Sequence, residues 1–399
     1  MENILKLAAD CGSPLLLFSP RTFRKRYTEL QTALPRVKHH FALKSLPYEG
    51  CIQVVRDCAG YLDVASTGEI QLVAQTAPEL LGRCIYTHPI KKKRDIETAL
   101  AMGIRVMVAD NRFELEKLKP YADQIHLLVR VAFPNPEARC DLSAKFGAPF
   151  ADAPALITEC YKSGFDLLGC SFHVGSQMTD PSAHLRAIVS IKKLYDWNLA
   201  HNGIEWPVLN IGGGFPARLD AAIPSLPAFC APLRRCLDEW FPNTEIWSEP
   251  GRCLATDAMA AVSQVVGKAL KNNCIWYYLD DGVYNTFSGK IYDHAAYRHR
   301  ALGAPQHAPC FPSVLAGPTC DSIDVLEEAV QLPELNPGDF IYTPQVGAYG
   351  WASRTDFNQL DPSVILHTDA DLSPEFSCPV EAYLPIERIE RPDYSVCLN

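Results

Sequence analysis

Several features are missing from this 399-residue sequence, and each absence excludes something. No apolar run approaches the ~18 residues that a membrane-spanning helix needs, so no such span is expected. The opening Met1-Glu2-Asn3-Ile4-Leu5-Lys6 has no basic segment followed by an apolar block, so it does not read as a secretory signal. Positive charge is not in excess: Asp and Glu number 46 against 37 Lys and Arg, which argues against a nucleic-acid binder. There are 15 cysteines but no Cys-x-x-Cys spacing, Cys230 and Cys236 coming nearest. Ribbon-type zinc sites and thioredoxin-type redox chemistry are thereby removed, and no metal is expected. An odd cysteine count cannot pair fully within one chain, and scattered free thiols point to a reducing, cytoplasmic compartment.

What is present is ordinary globular composition, 48% apolar and 21% charged, which leaves no room for disorder, collagen or coiled coil. The length calls for two domains, or a barrel with an appendage. Short β-rich runs alternate with amphipathic runs from about residue 37 to residue 250. Strands are expected at Val37–Leu43, Tyr61–Val64, Cys84–Tyr86, Arg105–Val108, His126–Val131, Leu167–Phe172, Val208–Ile211 and Glu245–Ser248. Helices fill the gaps. One starts at Ser66 with Glu69 three residues on, a capping box; another starts at Asn111; a longer one runs from Asp180-Pro181 to a stop at Gly203. Eight such units predict an α/β fold, a closed (β/α)8 TIM-like barrel, with an open doubly wound sheet as the alternative that uses the same units.

After Glu249 the pattern changes. Ala258–Leu270, Cys274–Leu279, Ile341–Thr343 and Val364–His367 look like strands without full-length helices between them. Gly and Pro punctuate this half, as in Ala308-Pro309-Cys310-Phe311-Pro312. A mostly antiparallel C-terminal β-domain is expected, and the early run Leu15–Phe18, ahead of the barrel count, is assigned to it.

Barrel enzymes place their chemistry at the C-terminal ends of the strands. Here those ends read Ala42-Leu43-Lys44, Phe172-His173-Val174-Gly175-Ser176, Gly212-Gly213-Gly214 and Glu249-Pro250-Gly251-Arg252. Three consecutive glycines are either a plain tight turn or a place where backbone amides approach an anion. Arg252 after the next strand favours the anion, and specifically phosphate. Lys44 is either a rim lysine or a partly desolvated amine that attacks a carbonyl, with Asp63 placed to position it. Glu249 beside a phosphate site repels the ligand unless it faces something cationic, such as a protonated pyridine nitrogen. Lysine, ring-nitrogen carboxylate and phosphate cradle together describe a pyridoxal 5′-phosphate site.

The same residues lie in motifs that resemble the fold-type III pyridoxal phosphate decarboxylases, most of all the ornithine/lysine decarboxylase group of the ornithine, diaminopimelate and arginine decarboxylase family. The motifs include Tyr61-Leu62-Asp63-Val64-Ala65-Ser66, Leu142-Ser143-Ala144-Lys145-Phe146-Gly147, Ser171-Phe172-His173-Val174-Gly175-Ser176 and Asn210-Ile211-Gly212-Gly213-Gly214-Phe215-Pro216. They continue through Glu249-Pro250-Gly251-Arg252, Asp281-Gly282-Val283-Tyr284, Tyr292-Asp293-His294, Gly317-Pro318-Thr319-Cys320-Asp321 and Gly347-Ala348-Tyr349. The resemblance spans nearly the whole chain. It implies an alanine-racemase-like barrel over residues 31–250, and a β-domain built from both chain ends, 1–30 and 251–399.

By that resemblance Lys44 is the Schiff-base lysine, His173 stacks on the cofactor ring and Glu249 binds the ring nitrogen. Ser176, Gly213, Gly214, Gly251, Arg252 and Tyr349 hold the phosphate. Arg130 and Asp63 support the ring and the lysine. Cys320 protonates the carbon that loses carboxylate. Asp293 and Asp321, with Tyr292 alongside, bind the distal amine of the substrate. Cys320 and Asp321 would arrive from a second subunit, so a homodimer with shared sites is implied. Two aspartates facing the side chain fit a diamino acid, ornithine or lysine, decarboxylated for polyamine synthesis. A distal carboxylate, as in diaminopimelate, would be costly there.

Three departures from the family pattern stand out: Ser45-Leu46-Pro47 after the lysine, His88 in Tyr86-Thr87-His88-Pro89, and Gln345 ahead of Gly347-Ala348-Tyr349, with Trp351 shortly after. They are expected at the mouth of the site, where they would alter side-chain length preference. That leaves a larger conjugated amino acid as the alternative substrate. A non-catalytic regulatory homologue would have lost Lys44, Glu249 or Cys320, and all are present. Glu249 on the ring nitrogen also argues against a racemase.

Overall fold

In the computed structural model, residues 2–135, 143–305 and 307–373 are described, with side chains from Ile4 onward. Leu142, the first residue of the Leu142–Gly147 motif, lies outside the described residues. In chain order the first strands are β1 (Leu15–Phe18), β2 (Val37–Ala42), β3 (Tyr61–Val64), β4 (Cys84–Tyr86), β5 (Val106–Ala109), β6 (His126–Ala132), β7 (Asp166–His173), β8 (Val208–Asn210) and β9 (Glu245–Ser248). Strands β2 to β9 pair in sequence, all parallel, and Val37 of β2 pairs with Ile246 of β9. That last pairing closes the ring and removes the open-sheet alternative.

Side chains alternate across each strand, and the two faces of the ring have different partners. Leu127, Val129 and Val131 of β6 point outward into the main core under the helices, each 0–1% exposed. Burying a side chain of this kind contributes about 1.5–3 kcal/mol, so Val129→Asp would unseat the strand. The inner face carries a smaller apolar cluster of Ile85, Val108, Leu128, Val208 and Trp247. It plugs the barrel as such interiors do. Two residues further along each strand, on the same inner face, stand Thr87, Asp110, Arg130, Asn210 and Glu249. The period of two thus stacks a polar layer on an apolar floor at the C-terminal mouth.

The helices start where their caps predict. Ser66 Oγ accepts from Glu69 N–H, while the Glu69 carboxylate reaches Ala65 N–H, one residue beyond the usual capping-box partner. Asn111 caps its helix through Glu114 N–H. The long helix, Ser182–Asn202, ends at Gly203 with φ 65°, a left-handed position that glycine adopts without steric cost.

The remaining strands are β10 (Met259–Lys271), β11 (Cys274–Leu279), β12 (Arg300–Ala301), β13 (Cys310–Ala316), β14 (Val325–Pro333), β15 (Phe340–Thr343) and β16 (Val364–His367). Their central path runs β12-β15-β10-β11-β13-β14, and β1 pairs with both β10 and β16. Most pairings are antiparallel; β1–β16 and β11–β13 are parallel. The N-terminal strand is therefore knitted between strands that follow the barrel. Strands β13 and β14 were not anticipated. Pro312, which reads as punctuation, sits in β13 opposite Gln331, one residue before pairing with β11 begins at Ser313. At that point the strand is still an edge, where proline's missing N–H is tolerated.

Candidate active site

Strand β2 runs into a short 3₁₀ turn, Leu43–Ser45, which lifts Lys44 over the barrel mouth. Its Nζ donates to Asp63 Oδ2 at 3.0 Å. Asp63 is buried at the end of β3, and its other oxygen accepts from Thr87 Oγ1. The Lys44 side chain keeps 41% exposure because it points into a cavity rather than into packed protein. Burial favours the neutral amine, but Asp63 and then Glu249 outweigh it and hold Lys44 above its ordinary value. Before a ligand enters, this lysine is a charged group held by a carboxylate.

Across the mouth, Glu249 is 8% exposed and accepts from Asn210 Nδ2 at 2.7 Å. Burial, reinforced by Asp63, pushes its carboxyl up to about 7. A carboxyl poised there shares a proton readily with a basic ring nitrogen. His173 lies at the end of β7, and its Nδ1 accepts from Gly175 N–H at 3.1 Å. Burial, with Arg130 and Lys44 nearby, holds its pKa well below the usual histidine value. The ring is therefore neutral, with its hydrogen on Nε2, and offers an uncharged aromatic face. Arg130 projects from β6 among the charges of Glu249, Asp110 and Asp63, with its guanidinium 5.5 Å from the Phe146 ring.

The far wall is built for an anion. Arg252 is 7% exposed and donates to Ser176 Oγ through Nε and Nη2, at 3.1 and 2.9 Å, and to Asp293 Oδ1 at 2.6 Å. The Tyr349 ring lies 4.9 Å from its guanidinium. Glycine is required in this wall. A Cβ on Gly213 would sit 2.9 Å from His173 Nε2 and 2.6 Å from the Glu249 carbonyl; one on Gly251 would sit 3.0 Å from Tyr349 Oη. Lys44, His173, Ser176, Gly214, Glu249, Gly251, Arg252, Asp293 and Tyr349 share the lining of one cavity of about 240 Å³.

Some expected residues are not brought there. Tyr292 is 60% exposed: it ends the short helix Gly289–Tyr292, and the roughly 100° step to the next residue turns Asp293 inward and Tyr292 out. Cys320 and Asp321 lie in an exposed loop; Asp321 accepts from Tyr284 Oη, and Cys320 Sγ is 3.6 Å from Asn358 Nδ2. Asp293 and Asp321 therefore do not meet within one chain.

The departures also need correcting. Gln345 is not at the mouth: its Nε2 donates to Asp257 Oδ1 at 2.8 Å and to the Arg218 carbonyl at 3.1 Å. Trp351 packs against Arg354 and Tyr48. Ser45 does reach the site, accepting Tyr349 N–H at its carbonyl, and His88 stands edge-on to Phe146 at 5.4 Å. Asn210 and Thr87 were missed as functional residues. Their signal was the inner-face spacing two residues beyond Val208 and Ile85.

An amine for an aldehyde, a proton-sharing carboxylate for a ring nitrogen and a glycine-floored cradle for a phosphate fit pyridoxal 5′-phosphate. Barrel and site together define a pyridoxal phosphate enzyme. Comparison with known proteins agrees. The family model described as pyridoxal-dependent decarboxylase, pyridoxal binding domain, matches residues 21–256. A lysine/ornithine decarboxylase of Selenomonas ruminantium is 32% identical over 367 residues, 91% of this chain and 92% of its own. The crystal structure of a Vibrio vulnificus lysine/ornithine decarboxylase complexed with putrescine superposes with a TM-score of 0.86 at 37% identity, covering 92% of this chain and 98% of that one. Antizyme inhibitor 2 of Xenopus laevis is 32% identical over 361 residues, 86% of this chain and 78% of its own. The chain belongs to the pyridoxal-dependent decarboxylases, and its cofactor is pyridoxal 5′-phosphate. No described helix is long and apolar enough to cross a membrane, and no cluster of metal-binding side chains occurs among the described residues.

Proposed function

We propose that the protein decarboxylates L-ornithine, or L-lysine, releasing CO2 and the corresponding diamine, putrescine or cadaverine, for polyamine synthesis in the cytoplasm. The observation that carries the reading is Lys44 held 3.0 Å from Asp63 in the same small cavity as Glu249, Arg252 and Asp293. The cofactor supplies an electron sink for the bond that breaks at the α-carbon. Lys44 would bind its aldehyde, with Asp63 orienting that amine. Glu249 keeps a proton at the ring nitrogen, which deepens the sink. His173, being neutral, would offer its face to the ring without competing for that proton, and Arg130 would support the ring. Ser176, Gly213, Gly214, Gly251, Arg252 and Tyr349 hold the phosphate.

Asp293, ion-paired with Arg252, is the carboxylate of the cavity wall besides Glu249, and in this reading it receives the distal ammonium. Cys320 is exposed, Asp321 half-buried, and neither lines this cavity; in this reading they complete it in a homodimer. There Cys320 of a second copy would hold the proton destined for the α-carbon. In the same reading residues 31–250 form the cofactor-binding barrel, and residues 1–30 with 251–399 the β-domain. The pairing of β1 with β10 and β16 supports that division. Free thiols among the described cysteines support the reducing compartment.

The test is CO2 release from ornithine, lysine, arginine, diaminopimelate and an N-conjugated ornithine. Turnover of ornithine or lysine well above the rest is the expected result. Activity confined to the conjugate would refute the assignment, and no release from any substrate by cofactor-loaded protein would point to a regulatory homologue.

A further inference from the structure

Each of the three carbonyls of the glycine run Gly212-Gly213-Gly214 is met by a hydrogen bond. Glu249 N–H donates to the Gly212 carbonyl at 2.7 Å, and Met178 N–H donates to the Gly214 carbonyl at 2.9 Å. The middle carbonyl, of Gly213, is met by a side chain: His184 Nε2 lies 2.9 Å from it. A carbonyl only accepts, so Nε2 carries the hydrogen. His184 sits in the first turn of the helix Ser182–Asn202 and is fully buried. Its ring packs on Phe215 and Phe229, with centroids 5.5 and 5.7 Å away. Burial pushes the imidazole down to about 4, so the ring is neutral, and its Nδ1 has no partner among the described residues. Among the described residues, the one hydrogen bond of this buried polar ring goes to the glycine run.

That bond has a directional consequence. In a trans peptide the carbonyl and the following N–H point opposite ways. Fixing the Gly213 carbonyl toward the helix aims the Gly214 N–H into the cavity, whose wall Gly214 forms. The plane in question lies between two glycines, and Gly214 has φ 99°. Without Cβ atoms it turns with little steric resistance. Turned over, it would present a carbonyl dipole to the anion instead of a donor.

We propose that His184 is a positioning residue for the anion cradle: it locks the Gly213–Gly214 peptide so that the Gly214 amide faces the cofactor phosphate. The inference rests on the phosphate reading of the cavity. It is tested with full-length protein stripped of cofactor and titrated, by absorbance, with pyridoxal 5′-phosphate and separately with pyridoxal, which lacks the phosphate. His184→Phe keeps an aromatic ring and removes the donor. It should weaken pyridoxal 5′-phosphate about tenfold, the scale of one hydrogen bond, and leave pyridoxal unchanged. His184→Gln, whose amide can donate to the same carbonyl, should recover most of the loss. His184→Met makes the same comparison if the phenylalanine variant does not fold. Equal losses for both ligands, or no loss for the phosphate ester, would overturn the role of His184. Wild-type protein that bound neither ligand would instead overturn the reading of the cavity.

Discussion

Replacing Glu249 with glutamine separates what this residue does for folding from what it does for catalysis. In the cofactor-free protein, burial and Asp63 push its carboxyl from 4.5 to about 7. The folded chain therefore keeps a proton that the unfolded chain has released above 4.5. Between those two values the unfolded state binds fewer protons, so this group's contribution to stability falls as pH rises and is fully lost above about 7. At about 1.4 kcal/mol per pH unit, the deficit at neutral to alkaline pH is on the order of 3 kcal/mol. Glutamine stays neutral, and its Oε1 can still accept from Asn210 Nδ2, which is 2.7 Å away in the wild type. Urea unfolding of cofactor-free Glu249→Gln should match wild type near pH 4 and exceed it by about 3 kcal/mol near pH 8. The same variant should lose about 10²–10³-fold in kcat, because an amide cannot keep the ring nitrogen protonated. A variant less stable than wild type at pH 8, or one that keeps its activity within a few fold, would refute the reasoning.

Further expectations follow from other contacts. Lys44→Ala should abolish both the visible absorbance of bound cofactor and CO2 release; retention of that band by the variant would remove Lys44 from its role. Mixing inactive Lys44→Ala with inactive Cys320→Ala should restore part of the activity once subunits exchange, and no recovery after verified exchange would count against a shared site. Lys91 is 0% exposed at its side chain, pairs with Glu114 at 3.0 Å and donates to the carbonyls of His88, Pro89 and Val108. Glu114→Gln leaves that ammonium buried without its counter-charge and should cost about 3–5 kcal/mol in urea unfolding. Burial lowers Lys91 to about 8 even with Glu114 beside it, and without that carboxylate the folded amine gives up its proton at lower pH, so the cost should shrink as pH rises through neutrality toward about 8 and hold level above it; a cost that does not change below pH 8 would contradict the assignment.

The sequence by itself determined the local events. Period-two alternation placed Thr87, Asp110, Arg130, Asn210 and Glu249 on one face of their strands, two residues beyond an apolar floor. Caps at Ser66 and Asn111 and the stop at Gly203 set helix ends, because each depends on backbone groups only a few residues away. The motifs carried enough to name Lys44, His173, Glu249 and Arg252, since the chemistry of a pyridoxal phosphate site demands those types at strand ends. What only the tertiary structure decided were relations between distant segments. Closure rests on Val37 meeting Ile246, a pairing that neither strand announces. Strand β14 hid behind Glu327 and Glu328, and β13 behind Pro312, because the pairing of β13 with β14 and with β11 is long-range. Asn210 became a partner of Glu249, and His184 a brace for Gly213, only when a neighbouring strand and helix were laid beside them. Tyr292 and Gln345 turned away from the cavity for the same reason. Backbone geometry fixes which way a side chain faces along its own element, whereas what it meets there is set by packing between elements far apart in the chain.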